Sequence, residues 1–342
     1  MKITAKDVAI KCNTSTAAVS RAFRAHSVID INLRTKILSV AREIGYLPPA
    51  KRIKKVEGFR TISIVVGDIL NPFYPNALEI FAKEMTLRGH HMLVHVVPSD
   101  ETVDSTISQV LKTGSDAAII ASANLSSDLA RSCKQRGIPA VLFNRIQTDG
   151  RINAVCTDNY NGGIFAAERL VSKNCCSIGF IGGIRDTSTH LERRRGFIDG
   201  LKRQETRLTF EESGGYDYNE SFAVISDLLE SPLRPDGLFC ANDVMAFAAI
   251  DASKKIGMVV GEDIAILGFD DVPMAAWTAY DLTSFRQRIK QMVINTLNLI
   301  EAMWQDPDVE GELIMVRSRS VSYTHLRAHE TPEHLVCRLL LE

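Results

Sequence analysis

Apolar positions along the first 45 residues fall at helical spacing in three short runs. "ITAKDVAIKC" starts with Thr4 and carries Asp7 three residues later, the spacing of a capping box. After the turn "CNTS", the run "STAAVSRAF" offers Ser15 as an N-cap. Ala9, Val19 and Phe23 then form an inward face, while Thr16, Ala17, Ser20 and Arg21 point outward. Asp30 caps a third run, in which Leu33, Ile37, Val40, Ala41 and Ile44 recur on one face of a helix and Gly45 supplies a C-cap. Two helices and a tight turn near the N-terminus predict a helix-turn-helix, with the second helix placed to enter a DNA groove.

Residues 46–60, "YLPPAKRIKKVEGFR", are proline-bearing and basic and read as a hinge linker. From Thr61 the pattern changes. Short apolar runs ("TISIVV", "HMLVHVV", "DAAIIAS", "AVLFN", "AVCTD", "SIGFIGG", "GLFCAND", "AILGFDD") alternate with helical stretches such as "YPNALEIFAKEMTLRG", "DSTISQVLKTG" and "GGIFAAERLVSKN". That alternation predicts an α/β core over residues 61–322, with parallel sheets covered by helices on both faces. Its two halves share one grammar, so two doubly wound lobes are expected. Ligands in such sheets sit beyond the carboxyl ends of the strands, and two facing lobes make a cleft.

Composition narrows the class. The chain has 342 residues, 45% hydrophobic and 24% charged, which suits an ordinary globular protein. No apolar run reaches the roughly 18 residues of a membrane span, and "MKITAKDVAIKC" has no apolar signal-peptide core, so a cytoplasmic protein is expected. The seven cysteines are scattered without metal-ligand spacing, which predicts free thiols and neither a zinc site nor a disulfide framework. Charge is distributed unevenly. Residues 1–60 hold 13 Lys and Arg against 4 Asp and Glu, a net of +9, which leaves −10 for the remainder. A basic head on an acidic body is the outline of a protein whose head alone binds nucleic acid. In such a helix Arg21 reaches guanine or a phosphate, and Ala17 and the Thr16 methyl meet a thymine methyl.

Several motifs in register resemble the LacI/GalR family of bacterial transcriptional regulators. "DVAIKCNTSTAAVSRAF" is similar to that family's "DVAxxAGVSxxTVSRVLN", and "LRTKILSVAREIGYLPP" to its third helix and the start of its hinge. "NPFY", "TDNYNGG", "RRRGF", "CANDVMAFAAI", "ILGFDD" and "LTSFRQ" follow in family order up to about residue 321. Two departures stand out. The turn has Cys12-Asn13-Thr14 where the family prefers Ala-Gly-Val, and Lys55 stands where the family's hinge carries a leucine that wedges into the minor groove.

The resemblance implies a head that touches DNA through Thr4, Ser15, Thr16, Ala17, Ser20, Arg21 and Arg24. In the hinge, Lys51, Lys54 and Lys55 meet phosphates, and Ile53 or Val56 supplies the apolar wedge. It implies a core like periplasmic sugar-binding proteins, with an effector held by Phe73, Tyr74, Arg193, Tyr216, Asn242, Asp270 and Gln287. An Arg donor, a carboxylate and two amides suit a sugar or related polyol, and aromatic rings suit its apolar face. Plainer readings stand beside these. Asn242, Asp158 and Asn159 suit turn caps, Tyr216 suits a core aromatic, and Arg194 and Arg195 suit solvent.

The function implied is a ligand-responsive repressor that binds a palindromic operator as a homodimer, with no cofactor, no metal and no membrane partner. The alternatives are an exported binding protein, which would need a signal peptide and no basic head, and an enzyme. For an enzyme neither G-x-G-x-x-G, nor a Walker motif, nor H-E-x-x-H is present. Residues 323–342, "YTHLRAHETPEHLVCRLLLE", leave the core pattern, resemble translated adapter read-through, and are set aside from function.

Overall fold

The computed structural model describes residues 4–23, 29–44, 46, 59–97, 103–121, 133, 135–146, 152–232, 234–306, 309 and 311–317. Arg24, Gly45, Lys51, Ile53, Lys54, Lys55, Val56 and the 323–342 tail lie outside the described residues. The chain falls into two compact units, Met1–Glu57 and Gly58–Glu342.

The first unit holds α1 (Ala5–Cys12), α2 (Thr16–Ala22) and α3 (Ile31–Glu43). The Thr4 backbone N–H and hydroxyl both donate to the Asp7 carboxylate, at 2.8 and 2.7 Å. Ser15 Oγ accepts from Ala18 N–H at 3.1 Å, and Asp30 Oδ1 accepts from Asn32 and Leu33 N–H, so these two N-caps read from the sequence are made. Val8, Cys12, Val19, Ala22 and Ile37 are buried in the small core, and Phe23, Leu33, Val40 and Ile44 pack against it. The unusual turn has a physical reason. Asn13 takes φ 52° and ψ 56°, the left-handed conformation that glycine fills most cheaply and asparagine tolerates. Cys12 occupies a buried position that asks only for a small side chain.

The second unit is α/β, with two all-parallel sheets. In chain order its elements are β1 (Thr61–Val66), α4 (Phe73–Arg88), β2 (His91–Val96), α5 (Val103–Lys112), β3 (Ala117–Ile120), β4 (Ala140–Phe143), β5 (Asn153–Thr157), α6 (Asn159–Val171), β6 (Ile178–Gly182), α7 (Ser188–Arg203), β7 (Leu208–Ser213), α8 (Tyr218–Glu230), β8 (Gly237–Cys240), α9 (Asp243–Lys255), β9 (Ala265–Asp270), β10 (Thr283–Arg286), α10 (Ile289–Gln305) and β11 (Leu313–Val316). One sheet has the order β11-β5-β4-β3-β1-β2, the other β10-β9-β8-β6-β7.

Each of the eight quoted apolar runs lands on a strand. β7, β10 and β11 were not read from the pattern. All three are edge strands: β7 (LTFEES) and β10 (TSFR) mix polar and apolar residues, and β11 (LIMV) is only four residues long. The lobes are also not consecutive halves of the chain. After β10 the chain returns to the first lobe, where α10 packs on α4 and β11 pairs with β5. The connections β5–α6 and β10–α10 therefore both pass between lobes, beside the cleft.

α6 and α7 pack at backbone contact in the second lobe. A Cβ on Gly196 would lie 1.9 Å from the Tyr160 carbonyl oxygen, and one on Gly163 would lie 2.2 Å from that of Arg193. No neighbouring side chain is available to move aside, so only glycine permits this approach. Gly196→Ala should therefore destabilise the chain by about 1–3 kcal/mol in urea unfolding, with Gly163→Ala similar. A loss below about 0.5 kcal/mol, the ordinary scale of a surface change, would mean that the helices do not meet this closely.

Candidate functional site

A cavity partly open to solvent lies between the lobes. Its lining residues come from the carboxyl ends of strands or the helices that follow them. Asn71, Phe73 and Tyr74 follow β1, and Asn144 and Arg145 follow β4. From the other lobe come Thr189 and Arg193 of α7, Tyr216 after β7, Asn242 after β8, and Asp270 at the end of β9. The first lobe thus contributes an aromatic wall with two amides and one guanidinium, and the second a polar wall.

Arg193 is the most constrained of these residues. It is 2% exposed. Its Nε donates to Asn159 Oδ1 at 2.9 Å, Nη1 donates to the Ala241 carbonyl, and Nη2 stands 3.6 Å from Asp270 Oδ1. Its guanidinium lies over the Phe269 ring, 3.5 Å from the centroid. Gln287 Nε2 donates to Asp270 Oδ1 at 2.6 Å. Gln287 is not among the cavity-lining residues; it holds Asp270 from behind. Asp270 has φ 125° and Asp271 φ 55°, both in the region that side chains disfavour.

A buried carboxylate holds that turn. Asp243 Oδ2 accepts from Val272 N–H at 2.8 Å, and Oδ1 accepts from the Ser284 hydroxyl at 2.5 Å, whose oxygen accepts from Asp271 N–H. Burial pushes the Asp243 carboxyl well up from its usual range. Burial likewise raises Asp270 to about 6, against the pull of Arg193 and Gln287.

Tyr216 also sits at a left-handed φ, 66°. Its ring covers Gly183, where a Cβ would come within 2.0 Å of it, and its hydroxyl is 3.0 Å from Thr189 Oγ1. Phe73 and Tyr74 are buried, with Phe73 packed on Phe143. Burial also raises the Tyr74 phenol, while the neighbouring Arg145 charge lowers it.

Asn242 makes the cap its sequence position suggested and also lines the cavity. Its Oδ1 caps α9 by accepting from Met245 N–H at 2.9 Å, while Nδ2 is buried without a partner. Asn144 Oδ1, Arg145 Nε and Nη1, and Gln287 Oε1 are also buried and unpartnered. Buried polar atoms are nearly always satisfied, so the orphans on the lining residues Asn144, Arg145 and Asn242 mark a place for a polar molecule. Asn159, first suited to a cap, instead anchors Arg193. Asp158 caps α6, Arg194 pairs with Glu211, and Arg195 pairs with Glu192. Asn71, Asn144, Arg145 and Thr189 were not anticipated. Asn144-Arg145 could have been, since it directly follows the run "AVLF" at a strand's carboxyl end.

In the head, Thr4, Ser15, Thr16, Ala17, Ser20 and Arg21 are all exposed, while Ala18, Val19 and Ala22 of α2 face inward. Arg21 Nε lies 3.4 Å from the Ala17 carbonyl, one turn back. Among the described residues no cluster of three or more His, Cys, Asp or Glu is placed to hold a metal. No described helix is long and apolar enough to cross a membrane.

Residues 62–280 match the family described as a periplasmic binding protein domain. A relative, the HTH-type transcriptional repressor CytR of Escherichia coli (strain K12), is 28% identical over 290 residues, 83% of this chain and 84% of CytR. The fold is shared with the lac repressor dimer bound to operator and the anti-inducer ONPF, at a TM-score of 0.71 and 20% identity, covering 96% of this chain and all of that one. It is also shared with the complex of the transcriptional regulator CelR with cellobiose, at a TM-score of 0.71 and 21% identity over 95% of this chain and 100% of that one. The chain therefore belongs to the class of proteins built on the periplasmic binding protein domain. With a helix-turn-helix head on that domain, it is a member of the LacI/GalR family of transcriptional regulators.

The raised Asp270 has a measurable consequence. Its folded value lies above the ordinary one, so the folded protein holds a proton that the unfolded chain has already released. Its own contribution to stability is greatest below about pH 4 and falls as pH rises towards 6. Asp270→Asn removes that slope, and the variant should gain on the wild type between pH 4 and 6 in urea unfolding. Parallel stability profiles across that window would place the Asp270 carboxyl in the ordinary range.

Proposed function

We propose that this protein is a ligand-responsive repressor that binds a near-palindromic operator as a homodimer and is controlled by a small polar effector, sugar-like in its hydroxyl and ring chemistry, held in the cleft. The observation that carries this reading is the cavity with its orphaned polar atoms from both lobes, in a chain that also bears a basic helix-turn-helix head. A ligand that bridges the lobes favours one arrangement over another in proportion to its differential affinity. Kinship with CytR and the fold shared with an operator-bound repressor support coupling of that choice to DNA affinity.

In the DNA-reading role, the exposed face of α2 offers Thr16, Ala17, Ser20 and Arg21 to base edges, with Ser15 and Thr4 beside the phosphates. Arg24, Lys51, Ile53, Lys54, Lys55 and Val56 belong to the same proposed surface by sequence alone. Four domain segments follow from it: a head over 1–45, a hinge over 46–60, an effector and dimerisation core over 61–322, and a tail over 323–342 outside the function. Dimerisation is supported by the edge strand β2, which exposes Leu93, Val94 and Val96, and by Leu87 on α4. The cleft orphans are arranged for binding, and no nucleophile–base pair among the lining residues suggests catalysis. The proposed place of action is the cytoplasm, where the DNA is.

Chromatography on DNA tests the reading most simply. The full chain should be retained and released by salt, and a chain lacking residues 1–60 should not bind. Arg21→Ala should weaken operator binding by about 1–3 kcal/mol and relax preference at one base position. Equal loss on every sequence would make Arg21 a phosphate contact. Arg193→Ala should abolish effector response while DNA affinity persists, and a preserved response would remove Arg193 from the effector site.

A further inference from the structure

The cleft contains two arginines, and they differ in what they have left to offer. Arg193 donates to Asn159 and the Ala241 carbonyl, has Asp270 at 3.6 Å and lies over the Phe269 ring, so its charge is already answered within the protein. Arg145 follows β4 on the opposite lobe, is half-buried, and hydrogen-bonds the Tyr74 hydroxyl. Its Nε and Nη1 are shielded from solvent and have no acceptor. A guanidinium stays charged under all ordinary conditions, and shielded N–H donors without an acceptor are costly.

Among the described residues, the neighbouring carboxylates do not supply a counter-charge. Asp270 is taken up by Arg193 and Gln287. Asp68, near Tyr74, is exposed, and its Oδ1 accepts from the backbone N–H groups of Leu70 and Asn71. The lining thus carries two guanidiniums and one carboxylate, a surplus of one positive charge in a partly closed space. A neutral polyol satisfies the amides of Asn144 and Asn242 but leaves that surplus in place.

We propose that the effector is an anion, a polyol or sugar bearing a carboxylate or phosphate group, and that Arg145 receives its oxyanion across the cleft from Arg193. This rests on the reading of the cavity as an effector site and narrows it to a ligand class. Guanidinium–oxyanion hydrogen bonds are about twice as strong as neutral ones, so the charge contributes both affinity and selection.

Inorganic phosphate tests the anion site without knowledge of the natural ligand. Millimolar phosphate should raise the melting temperature of the full-length protein above that in chloride of equal ionic strength. The rise should vanish in Arg145→Gln and survive in part in Arg145→Lys. Titration calorimetry with D-glucose, D-glucuronate and D-glucose 6-phosphate separates neutral, carboxylate and phosphate ligands. One of the two anions should bind about tenfold or more tightly than glucose, an advantage of about 1.4 kcal/mol, and Arg145→Gln should erase it. An equal phosphate response in wild type and Arg145→Gln, or none in either, overturns the proposal. So does sugar binding that needs Arg193 but ignores Arg145, an outcome that leaves the effector reading intact. If a cleft ligand binds through Arg145 and DNA affinity ignores it, the anion site stands and the effector reading fails.

Discussion

The buried guanidinium of Arg193 is the constraint on which the cleft depends. A charge this far from solvent is tolerable only with several partners, and its partners come from separate segments. Asn159 lies on the β5–α6 passage between lobes, Ala241 just beyond β8, and Asp270 at the end of β9. Arg193 thereby ties the carboxyl ends of the second sheet to one of the inter-lobe connections. The glycine-mediated approach of α7 to α6 brings it there, since Gly163 abuts its own carbonyl. Packing and electrostatics thus meet at one residue.

Around that point the protein maintains strained backbone. Asp270 and Asp271 adopt positive φ, and the buried Asp243 carboxylate, through Val272 N–H and Ser284, keeps them there. Tyr216 is held at positive φ with its ring over Gly183. Strain of this kind persists only where surrounding structure over-determines it, and here both instances aim a side chain at the cavity. The first lobe contributes a contrasting wall of Phe73 and Tyr74, with Asn144 and Arg145 at its polar edge. Movement of one lobe against the other would change the spacing between these walls, which is what a bridging ligand would select.

Much of this was legible in the sequence because burial on both faces of a parallel sheet leaves continuous apolar runs, and "TISIVV" or "AILGFDD" can hardly be anything else. The head was legible through its caps, Ser15 and Asp30, and through Val19 at the inner face. β7 was missed because an edge strand needs only one apolar face, and its "LTFEES" reads as surface. The return of α10 and β11 to the first lobe is a tertiary choice that no local pattern encodes. Arg193, Tyr216, Asn242 and Asp270 were picked out through motif resemblance, and all four line the cavity. Gln287 was picked out in the same way but sits behind Asp270. Arg145 escaped because its significance is negative: two nitrogens without partners, visible only once every neighbour is in place. Asn13 shows the opposite case, where a departure from the family's glycine is explained by the left-handed turn it still has to make.

Coupling between the cleft and DNA is best tested by reciprocity. Any ligand that changes DNA affinity must have its own affinity changed by DNA by the same factor. Calorimetric titration of a cleft ligand into the full-length protein, alone and then saturated with operator DNA, should give dissociation constants that differ by about fivefold or more. The direction of the shift would tell an inducer from a corepressor. Identical constants with and without DNA would contradict the coupling.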